Sequence, residues 1–155
     1  MIKGCVDFDQ EALRRPPHPD PPPAGSRRPE LFQRYREVAA EFPASDLPPL
    51  ETALWLMKPG TVVRGTWDEP KEAAAWLAER LTDYAPRFGS DAERAPAVLA
   101  RYANSAAERL RWGRDVSLGF YLERPAYLSL ALVTCSPNRA APDLPCPAQS
   151  GMRRR

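Results

Sequence analysis

Residues Ser117–Leu132 read SLGFYLERPAYLSLAL. Leu118, Phe120 and Leu122 alternate with other residues, and Leu128, Leu130 and Leu132 do the same after Arg124-Pro125. Period-two patterning of this kind marks strands with one buried face. Two such runs around a short polar break predict an antiparallel hairpin. Its register follows from parity. A two-residue loop would set Leu122 opposite Tyr127 and split the two leucine rows between opposite faces. A three-residue loop sets Leu122 opposite Leu128. Core burial therefore selects an odd loop or a bulge, because a one-residue slip moves every side chain to the other face.

Working upstream, two helices precede this hairpin. Asp68 is a suitable N-cap, Pro70 is tolerated in a first turn, and Ala73, Leu77, Leu81, Tyr84 and Phe88 recur at helical spacing. Pro86 and Gly89 break the pattern. Ser90 to Glu93 matches a capping box, with Pro96 predicting a kink or a start near Ala95. Leu99, Ala103, Ala106 and Leu110 make the second stripe, and Gly113 is placed as a C-terminal cap.

Before the helices, Glu51–Met57 is apolar, Lys58-Pro59-Gly60-Thr61 reads as a turn and Thr61–Trp67 is rich in β-formers. Proline followed by glycine suits the central positions of a type II turn. A two-residue loop then sets Leu56 opposite Val63 and Trp55 opposite Arg64. The order hairpin, helix, helix, hairpin predicts an α+β fold: a four-stranded, mainly antiparallel sheet in ββααββ order, with both central helices on one face. Leu77, Leu81, Leu99, Leu110, Phe120 and Leu130 are its predicted core.

The flanks differ in composition. Nineteen of the 155 residues are proline, concentrated in Pro16–Pro49 and Pro137–Pro147. Proline lacks an N–H and fixes φ, so these stretches resist regular pairing. The predicted organisation is an arm without regular structure over residues 1–28, a short helix and linker over 29–49, one α+β domain over 50–138, and a disordered Pro/Arg tail over 139–155. Leu31, Tyr35, Val38 and Phe42 form the stripe of the short helix, which Pro43 should end.

Charge and cysteine content exclude several classes. A net charge of +2 argues against bulk duplex DNA as the partner. Cys5, Cys135 and Cys146 are odd in number and contain no CxxC pair, so neither a disulfide framework nor a closed zinc site is expected. The longest apolar run, Ala126–Cys135, is too short for a membrane span. No apolar run follows a basic N-terminus, and a cytoplasmic location is expected.

The residues that carry chemistry are sparse. His18, the single histidine, sits in the proline-rich arm, where nothing holds it in attack geometry. Cys135 follows the leucine-rich strand and reads as a structural thiol. Asp68-Glu69 and Asp91 with Glu93 stand at helix starts, where acids stabilise exposed N–H groups. No phosphate-binding glycine loop is present. No catalytic residue, metal or cofactor is therefore assigned; an enzyme lacking recognisable motifs is a further alternative, which a pocket gathering Arg64, Asp115, Glu123 and Arg124 would favour.

The remaining signal is the second face of the predicted sheet, with Trp55, Met57, Arg64, Tyr121 and Tyr127 as candidate interaction residues. Val62, Ala131 and Val133 extend it. Such a face is covered or used. The helix over Glu30–Phe42 could fold onto it, or a homodimer or protein partner could. In the alternative reading, single-stranded nucleic acid stacks on Trp55, Tyr121 and Tyr127 with Arg64 at the backbone. The sequence thus predicts a non-enzymatic interaction or regulatory module acting through an aromatic sheet face.

Overall fold

The leucine alternation of Ser117–Leu132 does fold as a hairpin. The structure, a computed structural model, describes residues 2–4, 13–18, 20–23, 28–123, 126–135 and 137–147, with residues 2–4 described by their backbone alone. Its elements in chain order are β1 (Ile2–Gly4), α1 (Pro29–Ala44), α2 (Pro70–Tyr84), α3 (Asp91–Arg94), α4 (Pro96–Arg111), β2 (Val116–Tyr121) and β3 (Ala126–Leu132). Short 3-10 turns cover Thr52–Met57, Gly60–Val62 and Ala85–Arg87.

The β2–β3 connection is odd, as burial demands. Leu118 pairs with Leu130 and Phe120 with Leu128, and the Leu122 N–H donates to the Ala126 carbonyl at 2.9 Å. Three residues therefore intervene, and Leu122 faces Ala126 rather than Leu128. The parity is unchanged, so both leucine rows share one face. Val116, Phe120, Leu122, Leu128, Leu130 and Leu132 are all buried there.

Helices α2 and α4 pack on each other and close this face. Ala73, Leu77 and Leu81 from α2 and Leu99 and Ala106 from α4 join the sheet residues in one cluster. Of the predicted core, only Leu110 stays half-buried at its margin. Phe88 is at the centre: it stacks on Phe120 at 4.3 Å between centroids, and Tyr102 meets Phe120 edge-on at 5.6 Å. Backbone pairing fixes Phe88 in place. The Gly89 N–H donates to the Tyr121 carbonyl, and the Glu123 N–H to that of Arg87. Arg94 also donates to the Phe88 carbonyl.

Proline sets the helix starts. The N-cap of α2 is Glu69 rather than Asp68, with Pro70 at the first helical position. Pro96 holds Ala95 in extended backbone (ψ 128°), which divides α3 from α4 instead of kinking one helix.

The predicted four-stranded sheet is not formed. The sheet has the order β1-β3-β2, and the expected first hairpin is absent. Thr52–Met57 is a 3-10 turn, burying Ala53 and Leu56 at the i, i+3 spacing of that geometry. Gly60 lacks the positive φ that a type II turn requires and begins another 3-10 turn instead. The local physics is consistent with this: Ala53, Leu54, Leu56 and Met57 are strong helix formers, and no long alternation opposes them. The sheet gains instead β1, whose Ile2, Lys3 and Gly4 pair antiparallel with Leu128, Tyr127 and Ala126. This strand falls within the stretch expected to lack regular structure.

Two polar anchors tie the flanks down. Lys58 is only 3% exposed, and its Nζ donates to the Phe42 carbonyl in the last turn of α1 and lies 3.9 Å from the Phe42 ring centroid. A cation suits a helix C-terminus and an aromatic face, but burial removes it from bulk solvent. Desolvation lowers the Lys58 pKa to about 8, with Asp46 opposing the shift. At the other end, Asn138 is fully buried. Its Nδ2 reaches both Asp115 carboxylate oxygens and the Thr134 carbonyl, and its Oδ1 accepts from the N–H groups of Ala140 and Ala141. Cys135 and Cys146 are disulfide-bonded across this segment, against the expectation of unpaired thiols. Residues 137–147 thus follow a fixed path without helix or strand.

Two outcomes follow. Leu130→Ala should cost roughly 2–5 kcal/mol in chemical denaturation, as large-to-small changes do in a packed core. For Lys58, the folded pKa lies below the unfolded one, so between pH 8 and 10.5 the unfolded chain binds more protons. The charge-burial cost is fully present below pH 8 and fades as pH rises. Melting across that window should show wild type gaining stability relative to Lys58→Met.

Candidate functional site

The parity that buries the leucines turns the odd-numbered residues of β2 and β3 to the second face of the sheet. Tyr121 and Tyr127 stand opposite each other on that second face, their rings edge-to-face at 5.2 Å. Gly119 lies one step along β2, and any side chain there would collide with the Tyr127 hydroxyl. The glycine thus lets the Tyr127 ring lie down over the strand. Burial raises the Tyr127 pKa, Tyr121 adds to the shift, and Arg14 opposes it. Arg14 is itself held by the Pro48 carbonyl and, through its own carbonyl, by the Leu50 N–H. The arm therefore runs close to Tyr127, whereas Tyr121 stays 67% exposed.

Of the five predicted interaction residues, the structure brings only these two tyrosines together. Trp55 and Met57 are half-buried in the Thr52–Met57 turn, and Arg64 is exposed in the segment before α2. They left the sheet when their hairpin failed to form, and the expected Trp55–Arg64 pairing goes with it. Nor does Arg64 join Asp115 in a pocket. Asp115 accepts from Thr134 and Asn138, and Arg124 lies outside the described residues.

The outer edge of β2 adds backbone groups to this surface. The Tyr121 carbonyl points away from β3, toward Gly89. Residues two apart on a strand point their backbone groups the same way. Ser117 and Gly119 therefore aim N–H and C=O outward too, and both residues are exposed. Among the described residues, nothing pairs with them.

A second cluster was not anticipated. Glu108, Arg109, Trp112, Arg114 and Arg139 line a hollow of about 330 Å³ at the end of α4. Gly113 (φ 65°) ends the helix: its N–H donates to the Leu110 carbonyl and the Arg114 N–H to that of Arg109. This paired pattern folds Arg114 back against the last turn. Arg139, next to the buried Asn138, donates to the Trp112 carbonyl at 3.4 Å. Trp112 itself is 75% exposed. Reading Gly113 as a cap was the one signal available; the approach of Arg139 depends on a contact 27 residues away.

Other candidates carry little chemistry. His18 is exposed and, among the described residues, meets only the neighbouring Asp20. No group of three or more metal-binding side chains occurs among the described residues, and none of their helices is long and apolar enough to cross a membrane. In comparisons with known proteins, no family model, curated protein or solved structure matches the chain.

Gly119→Ala tests the tyrosine arrangement. The Tyr127 ring must leave the strand, at a cost of roughly 1–3 kcal/mol as for other overpacked sites. Spectrophotometric titration should then show the raised Tyr127 ionisation falling back toward that of a solvated phenol.

Proposed function

We propose that this protein is a non-enzymatic interaction module that adds an extended segment of a protein partner to the outer edge of β2. The observation that carries this reading is the open edge at Ser117 and Gly119, beside the 67% exposed Tyr121. An edge strand presents an unpaired row of donors and acceptors, and natural proteins blunt such edges with charge, proline or cover. Here the exposed positions are serine, glycine and tyrosine. Recognition by strand addition takes its affinity from main-chain hydrogen bonds and its specificity from side chains at alternate positions. Tyr121 supplies such a contact, since an exposed aromatic contributes large area at low entropic cost.

Residues 87–89 support the geometry, because they already pair with this edge at Tyr121 and Glu123. An added strand would continue that line across Gly119 to Ser117. Cysteine pairing bears on where the module acts. Disulfides persist in oxidising compartments, and the Cys135–Cys146 bond weighs on that side against the cytoplasm expected from sequence.

Ser117→Pro is the direct test. It removes one outward N–H and leaves the bonds to β3 intact. The variant should melt close to wild type yet lose partner capture, or self-association if the added strand comes from a second copy. Tyr121→Ala should weaken the same binding about ten-fold or more. Undiminished binding by Ser117→Pro would exclude the edge as the site.

A further inference from the structure

The geometry points to a second binding site, independent of the β2 edge: the hollow at the end of α4 takes a nucleotide, with its phosphate among Arg109, Arg114 and Arg139 and its base on Trp112. Three observations carry this.

The first is uncompensated charge. Three arginines line one hollow of about 330 Å³. Among the described residues, Arg109 and Arg114 have no ion pair, and the only side-chain bond of Arg139 is to the Trp112 carbonyl. Arginine near a helix C-terminus is ordinarily explained by the negative end of the helix dipole. That end carries only about half a charge. With Glu108 included, the hollow retains roughly one and a half positive charges. A phosphate monoester carries about −1.5 to −2 at neutral pH and offers three acceptor oxygens, so it matches this excess. Guanidinium forks suit those oxygens, because their donors are planar and can act in pairs.

The second is Trp112. It sits at the helix terminus, 75% exposed, and contributes nothing to the core. An indole beside a phosphate site is a stacking platform for a base. The size of the hollow is at the lower end of the range for small-ligand sites, about 300–1,000 Å³, which suits one nucleotide unit.

The third is that the cluster is built by fixed backbone rather than by chance rotamers. The Gly113 cap returns Arg114 to the last turn of α4. Asn138, fully buried on Asp115, positions Arg139 from the far side, within the segment that the Cys135–Cys146 disulfide closes. Preformed placement of this kind lowers the ordering cost of binding.

Calorimetric titration of the intact protein at low salt tests the assignment, with a nucleoside 5′-monophosphate, inorganic phosphate and the free nucleoside as probes. The monophosphate should bind saturably and more tightly than either fragment. Arg114→Gln and Arg139→Gln should each weaken it roughly ten-fold. Trp112→Leu should weaken it by a similar factor, on the order of one stacked base, while leaving inorganic phosphate within about two-fold. All three positions are exposed, and unchanged melting confirms that the variants fold. A short single-stranded oligonucleotide separates the two sources of the ligand. Tighter binding than the monophosphate, with the same residue dependence, assigns a strand; equal binding assigns the free nucleotide. The proposal is overturned by the absence of saturable monophosphate binding, by indifference to the arginine substitutions, or by phosphate binding as tight as nucleotide binding. Loss of partner capture in Ser117→Pro with nucleotide binding intact would show the two sites to be separate.

Discussion

The connection between Leu122 and Ala126 has an odd number of residues, and the arrangement of the sheet depends on that. With pairing set by the Leu122–Ala126 bond, Leu118, Phe120 and Leu122 fall on the same side as Leu128, Leu130 and Leu132. That side is what α2 and α4 cover, and Phe88 stacks into it. The same parity turns Tyr121 and Tyr127 to the opposite side and opens the space above Gly119 that the Tyr127 ring fills. An even connection would bury tyrosines and expose leucines on one strand, and the core would lose half of its sheet contribution.

Legibility in the sequence followed the length and regularity of each pattern. The α2 and α4 stripes and the second hairpin rest on several repeats of one period, and burial had a single way to satisfy them. The stretch Glu51–Trp67 offered no such repetition. Pro59-Gly60 would define a register, but register is meaningful only if strands exist, and Ala53, Leu56 and Met57 favour helical turns. Trp55, Met57 and Arg64 were therefore assigned to a surface that does not form. Strand β1 was unreadable for the opposite reason: three residues carry no period, and only tertiary pairing with β3 defines them. The Trp112 hollow escaped because Arg139 reaches it from the proline-rich tail, where composition argued for disorder and one buried asparagine decides the path.

Polar groups do in the flanks what leucines do in the core. Lys58 and Asn138 are both removed from water, yet they differ in charge and so in cost. Asn138 is neutral and uses its amide fully, with the carboxylate of Asp115 and the Thr134 carbonyl on one side and two backbone N–H groups on the other. A satisfied buried amide fixes conformation at little net cost. Lys58 gains a carbonyl and a ring but loses its hydration, and its depressed pKa reports that the balance is unfavourable to the charge. Helix α1, which buries only Phe42, is thus held through a charge removed from water, and the tail through a neutral amide.

This difference bears on how the two proposed surfaces are held. Arg114, Asp115 and Val116 are consecutive, so the loop that presents the arginine cluster leads directly into the edge strand. Asp115 is the fixed point between them. It accepts from the Thr134 N–H and hydroxyl and from Asn138 Nδ2, which ties the start of β2 to the end of β3 and to the tail carrying Arg139. A displacement of Asp115 would loosen Arg139 on one side and the first β2–β3 pair, Val116 with Leu132, on the other. Coupling between sites needs an element with two discrete arrangements. A carboxylate held by three donors in one geometry supplies none, which argues that the surfaces act independently, and that Asp115 is a structural pin rather than a route between them.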